Sequence, residues 1–174
     1  MNKKVSVDLS VAGVDKLLQA VKDYKVWIER GAERLVERLA DEGYSIASTG
    51  FSRAVYDGTN DVSVSVEVRG KMCRGIVAVG ATVLFIEFGT GIVYPDNHPN
   101  AAELGMNRGE YGAGHGKQRT WGYYGEPGTN GVVKAEKAKG TLVLTHGNPA
   151  NMTMYKTIQE LEQDLGRIAR EVFV

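Results

Sequence analysis

Ala81-Thr82-Val83-Leu84-Phe85-Ile86-Glu87-Phe88-Gly89-Thr90-Gly91 is the most apolar run in the chain, and it holds a single carboxylate. Phe85, Ile86 and Phe88 crowd Glu87, and a carboxylate in such a setting is costly unless it is hydrogen-bonded or paired. The Gly-Thr-Gly that follows supplies adaptable backbone and N–H groups that can turn back toward it. Glu87 is therefore expected to be a structural carboxylate that organises the Gly89–Gly91 turn. An interface role is a second reading. A catalytic role would need a second acid, base or nucleophile, and none stands near in sequence. Thr82 can cap a short helix over residues 83–88, which Gly89 would end in a left-handed conformation. The same run also fits a buried strand, because periodicity does not separate the two for short apolar segments.

Upstream, Val62, Val64, Val66 and Val68 alternate with Ser63, Ser65, Glu67 and Arg69. This alternation predicts a strand; Gly70-Lys71 makes a turn, and a second strand over about Cys73–Val79 completes a hairpin. Thr49 to Asn60 reads as a loop. Before it, Val14, Leu17, Leu18, Val21, Tyr24, Ile28, Leu35, Leu39 and Ile46 fall near one face of a 3.6-residue period. That predicts a helix over about residues 14–47, roughly 50 Å long. Such a length exceeds what a small domain needs, so Gly31 or Gly43 is expected to bend it, or its end to reach a neighbouring subunit. Val5, Val7 and Leu9, alternating with polar residues, predict a short first strand.

Downstream, residues 91–140 lose all period except around Thr120-Trp121-Gly122-Tyr123-Tyr124. A loop of that length is usually functional or disordered. Its aromatic residues suit interface anchors, so the segment is expected to be a flexible insertion or arm that orders on a partner, with Trp121, Tyr123 and Tyr124 as anchors. The alternative is a poorly ordered insertion with a small hairpin in it. Leu142–Thr145 predicts a final strand. From about Thr153, Met154, Ile158, Leu161, Leu165, Ile168 and Val172 predict a C-terminal helix with a packing seam.

The 174 residues suggest one domain, 1–174, with room for a core. Lys plus Arg and Asp plus Glu each number 21, and residues 1–60 hold nine of each sign, so no basic excess marks a phosphate-gripping protein. Cys73 is the single cysteine, which excludes an intramolecular disulfide; it is expected to be a small buried hydrophobe on a strand. Met1-Asn2-Lys3-Lys4 leads into strand-like residues rather than a signal-peptide core, and no apolar run reaches transmembrane length. A cytoplasmic, membrane-independent protein is expected, and Asn151-Met152-Thr153 is discounted as a glycosylation site.

Gly112-Ala113-Gly114-His115-Gly116-Lys117 fails as a phosphate loop, because Tyr111 stands where the first glycine belongs and Gln118 where Ser or Thr would bind magnesium. Asp96, His98, Glu103 and His115 could gather around a metal, but they lie in a loop with no His-Glu-x-x-His or i, i+4 histidine pair, and such histidines are mostly exposed. There is no Gly-x-Ser-x-Gly elbow, and Cys73 has no activating neighbour in sequence. No enzyme, cofactor or metal site is expected. The rival reading is a metal-dependent hydrolase built on Glu87, Asp96 and His98.

Phe85-Ile86-Glu87-Phe88-Gly89-Thr90-Gly91 resembles the hydrophobic-Glu-Phe-Gly-Thr signature of a phage tail-component family, the head–tail joining or tail-completion proteins of long-tailed double-stranded DNA phages. The order of predicted elements is similar over nearly the whole chain. Val11-Ala12-Gly13-Val14-Asp15-Lys16-Leu17 is similar to the opening of that family's first helix, and Thr145-His146-Gly147-Asn148-Pro149-Ala150-Asn151-Met152 resembles the segment before its last. Trp121-Gly122-Tyr123-Tyr124-Gly125 is similar to members with a long insertion. Where many members have Pro and Phe before the last helix, this chain has Met152, Met154 and Tyr155. The resemblance implies a virion protein of the neck without enzymatic activity, present in the host cytoplasm during assembly. It implies a ring of copies of itself, commonly a hexamer, around the exiting DNA, which passes without sequence-specific binding. Its other implied partners are the head connector or stopper and the tail terminator or tail tube.

The fold expected from all this is α+β: a mostly antiparallel sheet of about four strands packed against a long N-terminal helix and a C-terminal helix.

Overall fold

The computed structural model describes residues 6–8, 10–94, 97–112, 114–128, 131–137 and 139–174. It is α+β. One helix, α1 (Val11–Ser52), runs 42 residues, about 63 Å at 1.5 Å per residue. It starts earlier and ends later than its apolar period suggests. Ser10 accepts the Gly13 N–H at 3.1 Å and fixes the start. Its last turns occupy part of the expected loop, because Ala47 and Phe51 continue the buried face. Val5 and Leu9 of the expected first strand lie outside the described residues, and residues 6–8 are not strand.

The glycines of α1 give close approach within one continuous helix. A methyl at Gly31 would stand 2.2 Å from the Phe173 ring, and one at Gly43 would stand 2.2 Å from Ile76 and 2.9 Å from Leu161. The second half of α1 thus takes α3 (Thr153–Val172) on one side and a hairpin, β1 (Ser63–Gly70) with β2 (Cys73–Val79), on the other. Arg74 reaches Glu37 at 3.0 Å across the hairpin side, and Arg38 reaches Glu171 at 3.3 Å across the α3 side. The hairpin pairs in the expected antiparallel register, Ser63 opposite Val79 and Val66 opposite Ile76. Cys73, expected to be buried, is exposed: it pairs with Gly70 at the open, turn end of the hairpin, beyond the reach of α1's packing face.

The run around Glu87 resolves as a helix, α2 (Val83–Phe88). Thr82 occupies the capping position but its side chain makes no capping bond. Asp61 does the work there, accepting the Ala81 N–H at 2.8 Å, the Thr82 N–H at 3.0 Å and the Thr82 hydroxyl. These bonds hold the Asp61 carboxyl below its usual pKa. Gly89 ends the helix at φ 75°, ψ 171°, a region open in practice only to glycine.

Instead of one sheet of about four strands, the described residues form two antiparallel sheets, the hairpin and a three-stranded sheet. In the latter, β5 (Gly140–Thr145) lies between β3 (Trp121–Tyr124) and β4 (Val132–Lys137). Two of its strands therefore come from the segment read as an insertion. The chain following β5 ties this sheet to the body: Thr90 and Asn148 exchange backbone hydrogen bonds at 2.9 and 3.1 Å, and Asn151 and Met152 donate to the carbonyls of Ile86 and Glu87. The fully buried side chains Phe51, Ile86, Val143, Thr157 and Ile168 span these parts. In α3, Thr157 and Ile168 are buried while Ile158 and Leu165 of the expected seam are exposed.

Candidate functional site

The N-terminus of α3 explains Glu87. Met152 holds the N-cap position in a left-handed conformation (φ 55°, ψ 39°), and its side chain makes no capping bond. The first-turn N–H groups of a helix need acceptors. Glu87, 5 % exposed, supplies them from another element: Oε2 accepts the Met154 N–H at 2.9 Å, and Oε1 accepts the Tyr155 N–H at 3.0 Å. The negative charge also meets the positive end of the helix dipole.

His98 closes the arrangement. It is 5 % exposed, against the expectation that the loop histidines face solvent. Its Nδ1 accepts the Asn100 N–H at 3.0 Å, which places the ring proton on Nε2, 3.3 Å from Glu87 Oε1. The ring lies between Phe88 (centroids 4.4 Å apart) and Tyr155 (5.3 Å), which shield the contact from water. Both Glu87 oxygens are thus engaged as acceptors. Such a carboxylate locks α2, α3 and the 97–101 turn together. The Gly89–Gly91 turn is organised by other groups: the Thr90–Asn148 backbone pair, and Thr90 Oγ1, which accepts the Asn148 side-chain amide at 2.9 Å.

Of the rival hydrolase set, Glu87 and His98 meet, and Asp96 lies outside the described residues. Glu103 and His115 are exposed elsewhere, and the His115 Nδ1–H donates to the Glu110 carbonyl at 2.9 Å. Among the described residues no three His, Cys, Asp or Glu side chains gather as a metal set.

A cavity of about 820 Å³ opens between the chain after α1, α2 and the β3 sheet. Tyr56, Phe85, Tyr111, Trp121, Tyr123 and Tyr124 line it, with Asp57, Glu126 and Lys117. Two of the three expected anchors, Trp121 and Tyr123, are half-buried on its wall, and Tyr124 is largely exposed. Trp121 rests on a floor of glycine backbone: a methyl at Gly91 would lie 2.7 Å from its ring and one at Gly147 3.0 Å. Tyr111 stacks on Phe85 at 5.8 Å and donates its hydroxyl to the Gly89 carbonyl, closing the C-terminal end of α2. Asp57, buried, accepts the Thr145 hydroxyl, and its N–H donates to Asn148 Oδ1 at 2.5 Å. Burial, then Asp57, Tyr56 and Glu126, push the Tyr123 phenol up to about 12. Tyr56 is raised by burial, Asp61 and Asp57.

The third feature is the first half of α1. Phe173, at the end of α3, packs on Gly31 and Trp27. N-terminal to that point, Val11, Val14, Leu18, Val21 and Tyr24 are 45 to 82 % exposed, and Leu17 and Ile28 about two-fifths exposed. Val14, Val21 and Ile28 stand seven apart, with Leu17 and Tyr24 between them, a heptad-like seam. No helix among the described residues is long and apolar enough to cross a membrane.

Sequence reasoning missed the Glu87–α3 contact and the cavity. A signal for the first was present: the start of α3 has no acid in its first turn and a methionine at the cap, so its N–H groups had to find an acceptor elsewhere. No family model matches the chain, and no curated protein or solved structure is significantly similar to it.

Proposed function

We propose that this chain is a structural assembly protein, a head–tail joining component that forms a ring with copies of itself in the neck of a long-tailed phage. The observation that carries the reading is the uncovered apolar seam of α1. It presents on the order of 600 Å² per copy, and two such surfaces together reach the low end of specific interfaces. The occupant is a second copy: the seam continues the line along which α1 already receives a helix of its own chain, α3, so a helix of a neighbour fits it by the same packing. A ring needs such a contact to be head-to-tail and to close. The resemblance of residues 85–91 to the joining-protein signature supports the finer assignment, and the locked Glu87 accounts for that signature structurally. Within this reading residues 91–140 are the insertion that meets the head connector or the tail terminator. The ring surrounds exiting DNA without reading its sequence, consistent with the net charge of zero.

The test is genetic and physical. Particles lacking the gene should accumulate full heads and finished tails that do not join, and Leu17→Glu with Val21→Glu should reproduce this while the purified variant melts as wild type does. Absence of heads or tails themselves, or normal joining by the seam variant, would sink the assignment.

A further inference from the structure

The cavity beside β3 has a composition that the ring contact through α1 does not use. It gathers six of the chain's fourteen aromatic residues from four separate stretches. Two carboxylates, Asp57 and Glu126, stand on its wall against one lysine, Lys117, so the formal charge inside is negative. Negative potential reaches the rings: Asp57 acts on the Tyr56 and Tyr123 phenols, and Glu126 acts on Tyr123. Aromatic faces around a carboxylate attract cations, and a planar guanidinium stacks on Trp and Tyr better than an ammonium does. Phosphates and carboxylates are disfavoured by the same field. The floor is preformed, since Trp121 is seated on Gly91 and Gly147, and the Phe85–Tyr111 stack holds the opposite wall.

We propose that the cavity lined by Tyr56, Asp57, Trp121 and Tyr123 is a binding site for an arginine side chain of a protein partner. The guanidinium enters between the aromatic rings, within the negative field of Asp57 and Glu126. The site is independent of the α1 seam, so it stands or falls separately from the joining assignment.

The test uses the full chain and the two indole N–H resonances of Trp27 and Trp121, distinguished in Trp27→Phe. Nα-acetylarginine amide is titrated into the protein, with Nα-acetylcitrulline amide as its neutral isostere. The arginine probe should shift the Trp121 resonance and leave Trp27 in place, with the citrulline probe about tenfold weaker. Tyr56→Leu, which removes a ring but keeps an apolar wall, should weaken the arginine response by a similar factor. Asp57→Asn should do the same; since Thr145 bonds Asp57, the Tyr56 variant carries the test if Asp57→Asn fails to fold. No Trp121 shift, an equal response to citrulline, or full binding by Tyr56→Leu would overturn the proposal.

Discussion

Glu87→Gln tests the central contact most directly. The carboxylate accepts two backbone N–H groups of α3 and faces the Nε2–H of His98. Glutamine keeps one acceptor oxygen, and its amide nitrogen must then point N–H groups at another N–H, whichever way it is turned. A hydrogen bond to a charged group contributes about 1.5–3 kcal/mol, and an unmade buried bond costs about 1–3 kcal/mol. Loss of charge at the helix N-terminus adds about 0.3–1 kcal/mol. These effects overlap, so about 2–3 kcal/mol is expected in total. For a chain of this size each kcal/mol shifts Tm by about 2–4 °C, so the variant should melt about 4–12 °C lower. Circular dichroism and urea titration would measure the loss. Hydrogen exchange should locate it, with faster exchange at the Met154 and Tyr155 amides. A Tm within about 1 °C of wild type, with those two amides as protected as before, would refute the capping argument.

Gly89→Ala should be among the most damaging single changes. It forces an L side chain into φ 75°, ψ 171° and puts its methyl 2.6 Å from the Ala150 nitrogen, so a loss of more than about 3 kcal/mol in urea unfolding is expected; a loss below about 1 kcal/mol would mean the turn has another low-energy form. The third expectation concerns alkaline pH. Tyr123 is pushed up to about 12 in the folded chain, against about 10 when unfolded, so its contribution is fully present below pH 10 and is lost as pH rises through 12. Tyr56 and Tyr111 are also raised by burial, so absorbance titration should show several late phenols, one fewer in Tyr123→Phe; titration of the Tyr123 phenol at about 10 would contradict the burial and negative field described for the cavity.

Much of the backbone was legible in residue spacing. The phase of α1, the valine-alternating hairpin and the stop at Gly89 each rest on signals a few residues long. The strand β4 was not legible because its register shifts between Val133 and Ala135, which breaks the two-residue alternation that marks a strand. With β4 unseen, the three-stranded sheet could not be assembled, and the glycines and tyrosines of 91–140 read as an arm. Their aromatic content was visible, yet its direction was not. Trp121 and Tyr123 alternate with glycine and tyrosine along a strand, and only pairing with β5 decides which face each side chain takes.

The sequence by itself determined that Glu87 must be hydrogen-bonded, because a carboxylate among Phe85, Ile86 and Phe88 cannot be left bare, and that residues 83–91 must turn at a glycine. It also determined that the first helix is longer than one small domain needs. Only the tertiary structure decided what answers Glu87. The acceptor lies in α2 and the donors begin 67 residues later at the start of α3, and the two meet because Asn148, Asn151 and Met152 bring the chain back along α2. Local spacing carries the demand of a buried charge; a partner that far along the chain is fixed only by packing.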